Sequence, residues 1–421
     1  MLAYGLIGER LGHSFSPEVH RRFADYDYRL IELPPEAVAP FLRERAFAGV
    51  NVTIPYKRAV IPLCDALSDE AKRIGSVNTI VNEGGRLVGY NTDHYGFCRM
   101  AEAAGIPFAG RSVLILGSGG AGRTALAAAR DLGAREALLV SRGGSGPDTI
   151  DYETAYRAHA GADILVNATP VGMYPHAGAA PIDLARFPAC SGVLDMVFNP
   201  LRTALLLQAA TRGIPYANGL CMLVSQGKRA AELFTGKTFD SAREAAAVRA
   251  ITLARANLVL IGMPGCGKTT VGRLIAGRLG RPFVDLDEAV AAEAGRSCAE
   301  IIETDGEPAF RELEARTAGR VGATFGQVIA AGGGTVVRQD AMDALRQNGC
   351  VIWLERPLDL LATGGRPLSK GGAALAALLA AREPLYRRYA DRRLPNDDSA
   401  ARTAEAACHI FETEDWLCAS L

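Results

Sequence analysis

VLILGSGGAG (Val113–Gly122) and LVLIGMPGCGKT (Leu258–Thr269) decide the fold, because each sets a short apolar run before a glycine-rich loop with helix formers after it. A strand that feeds a tight loop and then a helix is the repeating unit of parallel α/β architecture. The pattern recurs along the chain. Val113–Leu116, Ala137–Val140, Ile164–Val166 and Val193–Asp195 read as buried strands, as do Leu258–Ile261, Phe283–Asp285, Val328–Ala331 and Val351–Leu354. The loops Gly117–Gly122 and Gly262–Gly267 start 145 residues apart and follow different rules, so each is expected to organise its own nucleotide domain. Between them, DSAREAAAVRAITLARA (Asp240–Ala256) carries charges at helical spacing and reads as a helix entering a very short linker, with the boundary near residue 252. The residues ahead of the first loop have their own β/α pattern. Three lobes are therefore predicted: 1–95 with about 215–245, then 96–214, then 253–421.

Composition narrows the function classes. At 421 residues the chain is long enough for two to four domains by a prior of roughly 100–200 residues each. A 49% hydrophobic fraction supplies sizeable cores, and 46 Lys+Arg against 46 Asp+Glu leaves no net charge. That balance disfavours nucleic-acid and anionic-membrane binding, so phosphate ligands must be held by local constellations. Nine cysteines include no CxxC pair. Met1-Leu2-Ala3-Tyr4-Gly5 enters structure without a basic-then-apolar segment, and no apolar run approaches the roughly 20 residues that span a bilayer. The expectation is a soluble protein of a reducing cytoplasm.

In the first loop, Gly117, Ser118, Gly119, Gly120, Ala121 and Gly122 form GxGxxG between strand and helix. Glycine lets backbone N–H groups approach a pyrophosphate at a positive helix N-terminus. The next strand ends in Ser141-Arg142, where a carboxylate would hold the ribose 2′-OH of NAD. A hydroxyl and a guanidinium suit a 2′-phosphate instead, which favours NADP. Arg142 as a solvated loop charge is the plainer reading.

Polar residues cluster in the first lobe: Ser14 and Ser16; Asn51-Val-Thr53-Ile-Pro-Tyr-Lys57; Ser76-Val-Asn78-Thr79; and Asn91-Thr92-Asp93. A strand ending at Pro55 is predicted to deliver Lys57 just past its tip. A lysine beside an aspartate passes a proton to or from an alcohol while hydride moves to a nicotinamide, and hydroxyls and amides suit a polyhydroxylated ring. Asn-Thr-Asp is equally good turn chemistry.

The second loop, Gly262-Met-Pro264-Gly265-Cys266-Gly267-Lys268-Thr269, is a full GxxxxGK[ST], followed by Thr270. Its backbone wraps ATP phosphates, Lys268 reaches the β/γ oxygens and Thr269 ligates Mg2+. Phe283-Val-Asp285-Leu-Asp287 reads as a strand whose two carboxylates point the same way by period two. Asp285 is then placed to hold Mg2+ through water and Asp287 to accept a proton from an attacking hydroxyl; helix capping by Asp287 is the alternative. Val328–Ala331 leads into Gly332-Gly333-Gly334, more glycine than a simple turn needs.

HSFSPEVH (His13–His20), GVNVTIPYK (Gly49–Lys57), SVNTI (Ser76–Ile80), GYNTDHYGF (Gly89–Phe97), GSGGAGRT (Gly117–Thr124), NATPVGM (Asn167–Met173), DMVFNP (Asp195–Pro200) and NGLCMLVSQG (Asn218–Gly227) together resemble the shikimate dehydrogenase family over about residues 2–245. The resemblance implies a Rossmann NADP lobe beside a substrate lobe, with Lys57 and Asp93 as catalytic pair. It implies that Ser14, Ser16, Thr53, Asn78 and Gln226 bind substrate, and that Met196 and Gly219 border the nicotinamide, with Met222 nearby. Phe198 stands where the family usually has tyrosine. Losing that hydroxyl's hydrogen bond is expected to weaken substrate binding by about 1.5–3 kcal/mol and to change the Michaelis constant.

The P-loop with DLD, GGG, Arg311 in FRELE, Arg366 in GGRPLS and Arg382 in REPLYRRY resembles shikimate kinase from about residue 256 onward. By that resemblance Asp287, Arg311, Gly332, Gly333 and Arg382 bind shikimate, and Arg366 contacts ATP phosphates from a lid, Leu358–Leu368, shorter than in many relatives. The combined expectation is reduction of 3-dehydroshikimate by NADPH and phosphorylation of the resulting shikimate by Mg-ATP. Two rivals are an inactive metabolite-sensing protein built from the same modules, and a quinate-type dehydrogenase using NAD joined to another small-molecule kinase. No oligomeric state follows from the sequence.

Overall fold

The computed structural model describes residues 2–12, 14–361, 372–413 and 416. Three sheets follow one another along the chain. The first comprises β1 (Leu2–Gly8), β2 (Tyr28–Glu32), β3 (Phe47–Val52), β4 (Ala66–Leu67), β5 (Thr79–Glu83) and β6 (Arg86–Tyr90), in the order β2-β1-β3-β5-β6-β4. It is mixed, for β1 is parallel to β2 and β3 whereas β5 is antiparallel to β3 and β6. The second comprises β7 (Ser112–Leu116), β8 (Glu136–Val140), β9 (Thr149–Ile150), β10 (Ile164–Asn167), β11 (Gly192–Asp195) and β12 (Tyr216–Ala217). Its order, β9-β8-β7-β10-β11-β12, is all parallel and doubly wound, with the direction of winding reversing between β7 and β10.

The third sheet comprises β13 (Asn257–Ile261), β14 (Phe283–Asp285), β15 (Val328–Ala330), β16 (Gly349–Glu355) and β17 (Arg392–Pro395), in the order β14-β15-β13-β16-β17, again all parallel. Continuous apolar runs explain the two parallel sheets: Val113–Leu116 and Leu258–Ile261 are buried at every position, as strands covered on both faces must be. Separate cores lie on the two faces of the second sheet, one around Phe97, Ile115 and Leu139, the other around Leu114, Leu165 and Leu206.

The predicted connecting helix is Ser241–Arg255, capped by the Asp240 carboxylate, which accepts from Arg243 N at 2.7 Å. Only Ala256 separates it from β13, so residue 252 lies inside the helix. Its Ala247 and Ile251 make the core of the third sheet continuous with Leu220 and Val224 of the helix Gly219–Thr235. A polar lock adds to this. Arg202, 1% exposed, pairs with Asp391 at 2.6 Å and donates to the carbonyls of Arg346 and Gly349. Leu201 N donates to Asn348 Oδ1 at 3.1 Å, and Gln347 Nε2 to Ala177 O at 3.1 Å. The second and third sheets are thus joined through buried groups. Among the described residues no helix is long and apolar enough to cross a membrane.

Candidate active sites

The first site forms where β1, β3, β5 and two helices meet. β3 ends at Val52, three residues short of the predicted Pro55, because the Thr53 carbonyl is taken by Tyr56 N in a tight turn. That turn leads to Lys57, whose own carbonyl is held by Val77 N at 2.8 Å. Asn91 caps the helix Thr92–Ala103 by accepting from His94 N, which places Asp93 in its first turn. Lys57 Nζ and Asp93 Oδ2 lie 2.7 Å apart, with 28% and 16% of their side chains exposed, so the pair is half-sheltered yet open to a ligand.

Asn78 Oδ1 accepts from Thr92 N at 2.7 Å and its Nδ2 donates to Thr92 Oγ1 at 3.0 Å. Thr92 Oγ1 in turn donates to Gln226 Oε1 at 3.4 Å. Sequence reasoning gives Thr92 no role; its position beside Asp93 at a helix start is the available signal. Ser14 and Ser16 follow the C-terminal end of β1, and Thr53 that of the adjacent parallel β3, and Ser16 N donates to Ser14 Oγ at 3.2 Å. His13 lies outside the described residues. The Phe198 ring packs on Phe15 with centroids 5.2 Å apart.

The glycine loop after β7 opens at the switch point of the second sheet, where a dinucleotide fits. A methyl group at Gly122 would overlap the Gly117 carbonyl oxygen, so only glycine lets the helix Gly120–Asp131 start this close to the strand. Ser118, Gly119 and Ala121 are at least partly exposed, and nothing lies within 4 Å of the Cβ positions of Gly119 and Gly120, so a phosphate has room there. Ser141 and the exposed Arg142 follow the neighbouring β8, one strand from that loop. Met196 follows β11 against Gly219, where any side chain would overlap the Met196 carbonyl. Beneath, the buried Asp195 accepts from Asn167 Nδ2, Val197 N and Thr203 Oγ1. Burial pushes its carboxyl up to about 7 despite those donors. The two motif residues Asn167 and Asp195 tie the loops together.

The second site surrounds the P-loop. Gly267, with φ 97°, caps the helix Lys268–Leu279. Lys268 Nζ is folded back onto the carbonyls of Gly262 and Met263 at 3.0 and 3.2 Å. Cys266 is fully buried under the loop, and its carbonyl accepts from Asn396 Nδ2 at 2.6 Å. Thr269 Oγ1 donates to Asp285 Oδ2 at 2.7 Å, bringing together two hard oxygen donors of the kind Mg2+ takes. Pro264 and Gly265 are partly exposed and Thr270 is exposed.

Two expectations about the DLD stretch are corrected. The strand ends at Asp285, and Asp287 sits in the first turn of the helix Leu286–Ala294, so strand alternation does not relate them. Asp285, rather than Asp287, caps that helix, accepting from Asp287 N at 3.1 Å. Asp287 nevertheless reaches the glycine run. A Cβ at Gly332 would lie 2.5 Å from Asp287 Oδ1 and 2.7 Å from Glu314 Oε1, one at Gly333 would strike Pro264, and one at Gly334 would strike Arg311. A site side chain lies against each of the three glycines.

Arg311 Nη1 is held by Glu314 Oε2 at 2.8 Å and Arg382 Nη1 donates to Gly333 O at 2.7 Å. The almost wholly buried Glu314 also accepts from Thr335 Oγ1. Sequence reasoning missed Glu314 and Asn396; the three-residue helical spacing from Arg311 signals the former, and nothing local signals the latter. Arg366 and residues 362–368 of the lid lie outside the described residues.

Residues 6–80 match the family model of the shikimate dehydrogenase substrate binding domain, and residues 264–413 match that of shikimate kinase. The shikimate dehydrogenase (NADP(+)) of Clostridium perfringens is 37% identical over 268 residues, covering 58% of this chain and 96% of the relative. A shikimate 5-dehydrogenase from Thermus thermophilus, solved with NADP(H) and shikimate, is 36% identical with a TM-score of 0.54, covering 59% of this chain and 99% of that one. A quinate dehydrogenase from Corynebacterium glutamicum, solved with NAD, is 30% identical with a TM-score of 0.53, covering 58% of this chain and 98% of that one. The chain belongs to the shikimate dehydrogenase family over its N-terminal part and carries a shikimate kinase domain behind it.

Proposed function

We propose that this chain is a bifunctional enzyme that reduces 3-dehydroshikimate to shikimate with NADPH and then phosphorylates shikimate to shikimate 3-phosphate with Mg-ATP. The observation that carries it is that two separate sites, on separate sheets, point to one metabolite: the product of the first is the substrate of the second. Residues 1–252 form the dehydrogenase and 253–421 the kinase. Within the first, 1–95 and about 215–245 take the substrate and 96–214 take NADP.

In the first reaction hydride reaches the C3 ketone from NADPH while Lys57, with Asp93 beside it, gives the proton that turns the forming alkoxide into an alcohol. Ser14, Ser16, Thr53, Asn78 and Gln226 hold the ring substituents, and Phe198 contributes an apolar wall where a hydroxyl would otherwise stand. Gly117–Gly122 receive the pyrophosphate, Ser141 and Arg142 the 2′-phosphate, and Met196 and Gly219 flank the nicotinamide.

In the second, catalysis is positioning and charge neutralisation. Arg311, Arg382, Gly332 and Gly333 seat the shikimate carboxylate and ring, and Asp287 takes the proton of the attacking 3-hydroxyl. Residues Pro264–Thr270 and Arg366 hold the ATP phosphates. Thr269 and Asp285 would hold Mg2+, which would supply charge neutralisation at those phosphates. The setting is the cytoplasm, within aromatic amino acid biosynthesis.

The test is one vessel containing the chain, dehydroshikimate, NADPH, ATP and Mg2+, with product identified by mass. Appearance of the phosphorylated acid supports the reading; NADPH oxidation without phosphorylation, or neither, refutes it. Replacing NADPH by NADH and shikimate by quinate separates it from the quinate-type rival.

A further inference from the structure

We propose that Arg255 is a positioning residue for the substrate loop of the dehydrogenase site, held in place from the kinase side by Phe325. Arg255 ends the connecting helix, with Ala256 alone between it and β13, and belongs to neither site. Its guanidinium carbon lies 4.1 Å from the centre of the Phe15 ring, well inside the range of cation–π attraction. Nη2 donates to Glu18 Oε2 at 3.0 Å, in the helix that follows Phe15. The Phe325 ring, in the turn before β15, lies 5.5 Å from the same carbon.

Phe15 sits between Ser14 and Ser16, and its ring also meets Phe198. Four side chains therefore form one stack: Phe198 after β11, Phe15 in the substrate loop, Arg255 from the connecting helix and Phe325 from the third lobe. The Phe15 side chain has no polar anchor, and its residue caps the helix Ser16–Phe23 without a side-chain hydrogen bond. Its backbone carbonyl accepts from Val19 N at 3.0 Å, and the stack holds its ring. Moving Phe15 moves the two serine hydroxyls that flank it.

This inference rests on the reading above, in which Ser14 and Ser16 hold dehydroshikimate. A residue that only places those hydroxyls acts on ground state and transition state alike, so its removal raises KM and leaves kcat. The experiment uses the full chain as wild type, Arg255→Ala, Arg255→Lys and Phe325→Ala. KM and kcat are measured for dehydroshikimate and NADPH, with shikimate phosphorylation followed in parallel.

Arg255→Ala is expected to raise KM for dehydroshikimate about fivefold, with kcat within about twofold and both NADPH KM and phosphorylation unchanged. Arg255→Lys, which keeps the charge, recovers most of that loss. Phe325→Ala, which removes only the kinase-side face of the stack, raises the same KM by a smaller factor. An unchanged KM in folded Arg255→Ala overturns the inference, as does a joint fall of both activities with no KM split. If Arg255→Ala does not fold, an unchanged KM in Phe325→Ala decides against it. A wild type that oxidises no NADPH with dehydroshikimate sinks the dehydrogenase reading itself, and this inference with it.

Discussion

Lys57 and Asp93 are 36 residues apart in the chain and 2.7 Å apart in space, and each is the other's ion-pair partner. A proton donor placed this way is worth about 10²–10⁴ in rate. Lys57→Ala is therefore expected to lower kcat for dehydroshikimate reduction by that factor while phosphorylation stays at the wild-type rate. Loss of both activities in a folded variant would count against separate sites. At this scale the sequence is informative where chemistry repeats a known pattern of neighbours. The polar runs around Lys57, Asn78 and Asp93 are suggestive by spacing alone, and it is the family resemblance they carry that implies their convergence. Glu314 is signalled only by its three-residue helical spacing from Arg311, and its burial is not legible, because a glutamate in a helix looks like a surface charge. Asp285 and Asp287 are legible as a pair, but the capping geometry between them is not, since a strand that turns directly into a helix breaks the alternation.

Among the elements, the strand–loop–helix unit at β7 tolerates little change. Gly122→Ala forces a methyl group into the Gly117 carbonyl, and such overpacking costs about 1–3 kcal/mol. The expected result is NADPH affinity weakened at least about tenfold, read by fluorescence titration, with ATP binding intact; unchanged NADPH affinity would contradict the assigned cradle.

The helix Ser16–Phe23 carries a different liability. His20 is 1% exposed, stacks on Tyr28 at 3.9 Å, and contacts the Tyr26 hydroxyl at 2.5 Å. Burial depresses its folded pKa from 6.5 to about 3. The folded state thus binds fewer protons than the unfolded state between those values. The stability it contributes is present above pH 6.5 and is lost as pH falls toward about 3, by roughly 1.4 kcal/mol per pH unit. Thermal midpoints measured from about pH 7 to about 4 should fall more steeply for the wild type than for His20→Gln, and parallel slopes would refute the assignment. The eight strands named from the sequence, all in the two parallel sheets, lie within a few residues of those observed because buried parallel strands are unbroken apolar runs. The end of β3 escapes that reading, since Thr53 gives its carbonyl to a turn that no periodicity announces.

At the scale of the whole molecule, the sequence separates two nucleotide folds cleanly and shows the helix that connects them, yet carries no sign of the buried polar contacts between them. Arg202 looks like one more charge in a loop, and Asp391 like one more at a strand end; only the fold brings them to 2.6 Å with the arginine wholly enclosed. Asp391→Ala would leave that guanidinium with the Arg346 and Gly349 carbonyls and the Tyr216 hydroxyl but no carboxylate, and removing one member of a buried pair costs about 3–5 kcal/mol. Urea unfolding of the full chain is expected to show that loss; a variant as stable as wild type would mean the pair is solvated in practice. The same lock bears on the history of the chain. Once an arginine of one enzyme has become an internal strut of the other, each half freed by cleavage would expose to water the apolar face and the polar groups that now pair across the joint. Gene fission is thereby penalised, and the union becomes a ratchet, easy to enter and hard to reverse.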